Sequence, residues 1–135
     1  MPYASAIGSL QYAQVCTRPD LNFVTGILGR YQSNLGIEHW KMVKKALCYV
    51  RGTTGLMLTY RKSESLEIEG YSDSDFAGDV DDRKSMSGYI FTLAKGAIWW
   101  KSSKQSVTVA STMYAEFVAC YEASGQVTWL NLYPV

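Results

Sequence analysis

Leu66-Glu67-Ile68-Glu69-Gly70-Tyr71-Ser72-Asp73-Ser74-Asp75 is where the period of this chain changes. Leu66 to Glu69 alternate apolar and acidic side chains, as a half-buried strand does. The strand then delivers two carboxylates, and an extended backbone puts Asp73 and Asp75 on one face. Like charges that close repel unless a proton or a cation lies between them. A hard divalent ion such as magnesium, held through carboxylate oxygens, is one answer. An Asx-type turn with both side chains in water is the other.

Upstream the period is helical. Ile7 and Leu10 place a first helix over residues 4–15. Thr17-Arg18-Pro19-Asp20 reads as a second start, with Thr17 as cap, Pro19 in the first turn and Asp20 complementing the dipole. Leu21, Val24, Leu28 and Tyr31 carry that helix to Ser33-Asn34-Leu35-Gly36. A third helix spans about residues 38–51 on a stripe of Trp40, Val43, Leu47 and Val50, with Gly52 as its stop. Lys41, Lys44, Lys45 and Arg51 fall on its other faces, either as a solvated surface or as contacts for phosphates.

Downstream, residues 56–60 are short and extended, and Lys62-Ser63-Glu64-Ser65 is a polar turn. Residues 79–84 form a polar loop in which Arg83 and Lys84 offset Asp79, Asp81 and Asp82. The β-forming runs 88–93 and 97–101, joined at Lys95-Gly96, predict a hairpin. Val107-Thr108-Val109 is a further extended stretch. Ser111 caps a long helix over about residues 112–132, with Met113, Phe117, Cys120, Ser124 and Val127 as its packed stripe. Glu116 falls within that stripe, where an ionised carboxylate costs several kcal/mol unless paired or bound to metal. Glu122 points the opposite way, to solvent.

A chain of 135 residues supports one ordinary domain or two small pieces. Its net charge of +1 argues against a generally basic nucleic-acid binder, while leaving local basic clusters such as Arg83-Lys84 and Lys101 with Lys104. Cys16, Cys48 and Cys120 show neither zinc spacing nor a disulfide framework; they are expected as buried small hydrophobes in a reducing, intracellular setting. Neither a signal peptide nor a bilayer-spanning run is evident, so no membrane partner is expected. His39 is the sole histidine and lies far in sequence from the carboxylates, which argues against a catalytic triad or a zinc centre.

Several runs together resemble the copia-type retrotransposon Pol polyprotein. Ile7-Gly8-Ser9-Leu10-Gln11-Tyr12, Cys16-Thr17-Arg18-Pro19-Asp20-Leu21, Glu38-His39-Trp40 and Arg51-Gly52-Thr53-Thr54-Gly55-Leu56 are similar to the end of its reverse transcriptase. Gly70-Tyr71-Ser72-Asp73-Ser74-Asp75-Phe76-Ala77-Gly78-Asp79, Asp82-Arg83-Lys84-Ser85, Ser87-Gly88-Tyr89, Trp100-Lys101-Ser102 and Ala115-Glu116-Phe117 are similar to the opening of its ribonuclease H domain. The resemblance implies an α+β (α/β-like) chain. A helical reverse transcriptase connection-like segment, 1–60, precedes a truncated ribonuclease H-like domain, 61–135, with antiparallel strands and one long helix.

By the same resemblance the ancestral activity is hydrolysis of RNA in RNA–DNA hybrids by two Mg2+ ions roughly 4 Å apart. Asp73 and Glu116 match the family's catalytic and metal-binding acids, and Asp75 is a further metal-site acid beside them. Ser85, Ser87, Lys101 and Thr112 are the expected hybrid contacts, made to phosphates and 2′-hydroxyls rather than to bases. The implied partners are a hybrid or other nucleic acid and the remainder of the Pol polyprotein. The family's later aspartates would follow Val135, so the isolated chain is expected to be inactive. Its alternatives are a non-catalytic interaction or hybrid-binding fragment, or part of a longer active polyprotein. Met86, Trp99 and Met113-Tyr114 depart from the family pattern.

Overall fold

The computed structural model describes residues 2–79 and 81–131. The chain divides into two compact units, Met1–Thr59 and Tyr60–Val135.

The first unit is helical: Tyr3–Cys16 (α1), a 3-10 turn at Pro19–Leu21, Asn22–Arg30 (α2) and Ile37–Gly52 (α3). Its core gathers Tyr3, Ile7, Leu10, Leu21, Leu28, Val43 and Ala46, with Trp40 and Val50 packed against it. Burying Tyr3 is tolerable because its hydroxyl donates to the Leu28 carbonyl at 2.8 Å. Two expectations need correction here. Leu47 is 40% exposed and Ala46 takes the core position, a rotation of one residue around the helix. Thr17 ends α1, its N–H donating to the Ala13 carbonyl, and does not cap the next helix. The start of α3 is closed instead by His39, whose Nδ1 accepts from the Gly36 N–H at 3.1 Å while its ring stacks on Tyr31 at 4.0 Å. The sole histidine is therefore a helix-end support.

The second unit is a three-stranded antiparallel sheet, Ile68–Asp75 (β1), Met86–Leu93 (β2) and Gly96–Lys104 (β3), in the order β1-β2-β3. One helix, Thr112–Asn131 (α4), lies across β1 and β2. The fold class is α+β, as the sequence predicts. The hairpin is present, but its turn is Ala94-Lys95, one residue earlier than expected, with Leu93 paired to Gly96. Both turn residues have positive φ, 51° and 61°, which suits the right-handed twist of the flanking strands. Residues 56–60 and 107–109 form no strand. The first of these segments leads into a tie to the hairpin, with the Tyr60 hydroxyl on the Ala97 carbonyl at 2.7 Å and the Arg61 N–H on the Ala94 carbonyl at 2.8 Å.

The core of this unit is Tyr89, Phe91 and Ala123, with Ile68, Ile98, Val127 and Leu130 against it. Gly70 pairs with Phe91, and a Cβ at Gly70 would collide with the Phe91 ring. The face of α4 on the sheet is Ala115, Ala119 and Ala123, small residues that allow close approach. The packed face is thus turned roughly a third of a circle from the expected stripe, of which Val127 still packs on the core: Met113 and Phe117 are 73% and 68% exposed, and Cys120 and Ser124 are exposed as well. Glu116 is exposed, and Glu122, expected in solvent, is half-buried. The expected end of this helix at Leu132 lies outside the described residues. All three cysteines are exposed rather than buried. Among the described residues no helix is long and apolar enough to cross a membrane.

Candidate functional site

The two faces of β1 decide what its carboxylates can meet. Ser72 Oγ lies 3.3 Å from Cys120 Sγ of α4. Ser87, paired with Ser74, accepts from Gln105 Nε2 at 2.8 Å, and the same amide donates to the Ala115 carbonyl of α4 at 2.9 Å. The face of β1 holding Ser72 and Ser74 is therefore turned to α4. By alternation Asp73 and Asp75 share the opposite face with Tyr71 and Glu69, whose side chains meet at 3.4 Å. Asp73 and Asp75 are exposed, and Asp73 Oδ1 accepts from the Ser74 N–H at 2.9 Å.

Glu116 comes from the other side. Gln105 ties Ser87, the partner of Ser74, to the Ala115 carbonyl, while Ser72 meets Cys120, so α4 runs antiparallel to β1. One helical turn from Cys120 to Glu116 covers about 6 Å, the same as two residues along a strand. Glu116 is thus level with Ser74, between Asp73 and Asp75 along the strand but approaching from the opposite face. Among the described residues no three His, Cys, Asp or Glu side chains gather closely enough to hold a metal ion.

The expected phosphate contacts separate into two groups. Ser85 and Ser87 are 0% and 2% exposed. The Ser85 hydroxyl accepts from the Ala77 N–H at 3.1 Å, and Ser87 is engaged by Gln105. Both hydroxyls are internal, where they support the loop after β1 and the contact with α4. Lys101 and Thr112 are exposed. Lys101 borders an open cleft of about 470 Å3 with Tyr89, Tyr121 and Glu122.

The strongest electrostatic feature lies beside these residues. Lys104 Nζ bridges Asp79 Oδ2 at 2.9 Å and Asp82 Oδ2 at 2.7 Å. Asp79 is buried, and its Oδ1 also accepts from the Asp81 N–H at 2.9 Å. The Lys104 ammonium, then that backbone donor, hold the Asp79 carboxyl down at about 2, and Lys104 lowers Asp82 as well. The sequence points to Arg83 and Lys84 as the balancing charges. Lys84 instead donates to the Ser106 carbonyl at 3.0 Å. Neither Lys104 as the clamp nor Gln105 as the buried strut carries a periodic signal, since both depend on how β3 returns.

An α+β unit with carboxylates at the end of its first strand and on its helix is the class defined so far. Comparison with known proteins adds the family. The chain is 47% identical to the "Retrovirus-related Pol polyprotein from transposon TNT 1-94" of Nicotiana tabacum, over 97% of this chain and 10% of that polyprotein. It is 37% identical to the corresponding polyprotein from transposon RE2 of Arabidopsis thaliana, over 95% of this chain and 9% of that protein. It is also 38% identical to the "Secreted RxLR effector protein 161" of Plasmopara viticola, over 98% of this chain and 93% of that protein. Retrovirus-related Pol polyproteins of plant transposons are thus homologous to nearly the whole of this chain. It spans about a tenth of the length of the Pol polyproteins and nearly all of the effector-named relative. No protein-family model and no solved structure matches it.

Proposed function

We propose that this chain is a piece of the reverse transcriptase–ribonuclease H region of a copia-type Pol polyprotein. Its ancestral chemistry is metal-dependent hydrolysis of RNA in RNA–DNA hybrids, and the chain by itself does not cleave. One observation carries the reading: Glu116 of α4 stands level with the Asp73-Ser74-Asp75 end of β1. The acids also match, by motif, those that hold magnesium in that family.

The residues present do not fit a pair of magnesium ions. Asp73 and Asp75 lie on one face of β1 and Glu116 approaches from the other, so the three do not gather, and magnesium demands near-octahedral oxygen geometry. The inactivity of the isolated chain follows from that incomplete set.

Two measurements test the proposal. With millimolar magnesium and a labelled hybrid, the wild type is expected to cut no faster than Asp73→Asn. Cleavage abolished by Asp73→Asn and by Glu116→Gln overturns the inactivity. Manganese titration followed by NMR tests the ancestry of the site. Weak binding, on the order of a millimolar, is expected to broaden signals around Ser74 and Glu116 together. Broadening centred elsewhere, or none, defeats the assignment.

A further inference from the structure

We infer that one water molecule is built into the second unit beneath the first turn of α4, bridging Ser74 Oγ and Gln105 Oε1. The inference rests on how α4 packs on the sheet and is independent of the nuclease reading.

Gln105 follows β3 and is 1% exposed. Its backbone N–H donates to the Ser85 carbonyl at 2.9 Å. Its side-chain Nε2 donates to Ser87 Oγ at 2.8 Å and to the Ala115 carbonyl at 2.9 Å. These two bonds decide which end of the amide is which. Reversed, the group would set its oxygen against the Ala115 carbonyl, which has no proton to give. Oε1 is therefore held apart from both partners, buried and without a hydrogen bond. The Ser74 hydroxyl is buried and unbonded as well. Among the described residues these are the two buried side-chain polar atoms left in that condition. A buried polar atom with no partner is costly, and such atoms in folded proteins are generally met by protein or by ordered water.

The two atoms belong to one corner of the unit. Ser74 pairs with Ser87, so their Cβ atoms lie roughly 5 Å apart on the face toward α4. Gln105 is bonded to that same Ser87. Ser87 Oγ accepts from Gln105 and keeps its own proton to give. A water in this corner has three bonds to make, with Gln105 Oε1, Ser74 Oγ and Ser87 Oγ, and about three is usual for an internal water. The surrounding side chains are small. Ala115 and Ala119 of α4 are 0% and 1% exposed, and Ser85 and Ser87 are 0% and 2% exposed. The site also bears on the acids. Gln105 holds the carbonyl of Ala115, the residue before Glu116, so the water ties β1 to the turn that carries Glu116.

Oxygen-17 relaxation dispersion of the solvent counts long-lived internal waters and is blind to exchanging hydroxyl protons. On the full chain, Ser74→Val is expected to remove one such water relative to the wild type, with the circular dichroism unchanged. Valine suits a strand and fills the corner, and it leaves all three Gln105 bonds in place. A crystal structure of the wild type is the second measurement and does not depend on a variant folding. Density is expected for a water about 2.7–3.2 Å from both Ser74 Oγ and Gln105 Oε1. Equal dispersion from the wild type and a folded Ser74→Val overturns the inference. So does a crystal structure in which Ser74 Oγ and Gln105 Oε1 bond protein atoms instead, with no water between them.

Discussion

Lys104 shows how much one side chain can organise. It holds Asp79 and Asp82, 25 and 22 residues before it, and so fixes the loop between β1 and β2. Asp79 titrates lower in the folded chain, at about 2, than the ordinary 3.8. Its contribution to stability is therefore complete above the ordinary value and is lost as pH falls through about 2. Lys104→Met is expected to lower the urea midpoint at neutral pH and to flatten its decline between about pH 4 and pH 2. Asp20, lowered chiefly by its bond to Arg18, keeps part of that decline in the variant. Gly70 is the second decisive residue. Gly70→Ala must displace the Phe91 ring, which is 1% exposed, and is expected to cost about 1–3 kcal/mol in equilibrium unfolding. The acids of the candidate site are legible in the sequence by motif and by alternation. The partner of Asp79 is not, because the nearest cations in sequence, Arg83 and Lys84, are not the ones the folded hairpin supplies.

At the level of elements, the helices of the first unit and the hairpin of the second follow from period and turn chemistry. The errors are rotations and single-residue shifts. Leu47 yields its place to Ala46, and the turn moves from Lys95-Gly96 to Ala94-Lys95. The turn offers a direct test, since neither residue favours positive φ. Replacing them together, Ala94→Asn with Lys95→Gly, is expected to stabilise the chain by about 1–2 kcal/mol, read from the urea midpoint. No gain would mean that the turn relaxes to another conformation in solution. The packed face of α4 could not be chosen from sequence for a plain reason. A helix with apolar residues on two sides presents two credible stripes, and size complementarity with the sheet selects the alanines.

At the level of the molecule, the chain holds two cores, each closed within its own unit. Residues 61–67, just inside the second unit, are exposed and belong to no helix or strand. Limited trypsin digestion is expected to cut first at Arg61 or Lys62, leaving two fragments identifiable by mass spectrometry. A first cut at Arg83 would show instead that the loop clamped by Lys104 opens more readily than this connection.

The sequence by itself determined the helices, the first strand, the hairpin, their order and the likeness to Pol polyproteins, because period, turn residues and short motifs act over a few positions. Only the tertiary structure decided which face of α4 meets the sheet, that Ser85 and Ser87 are internal, and that Lys104 rather than Arg83 balances the acidic loop. It also put Glu116 and Asp73 at one level but on opposite faces of β1. These outcomes depend on contacts between residues far apart in the chain. Their geometry is set by how strands register and how closely small side chains let a helix approach, which no local pattern encodes.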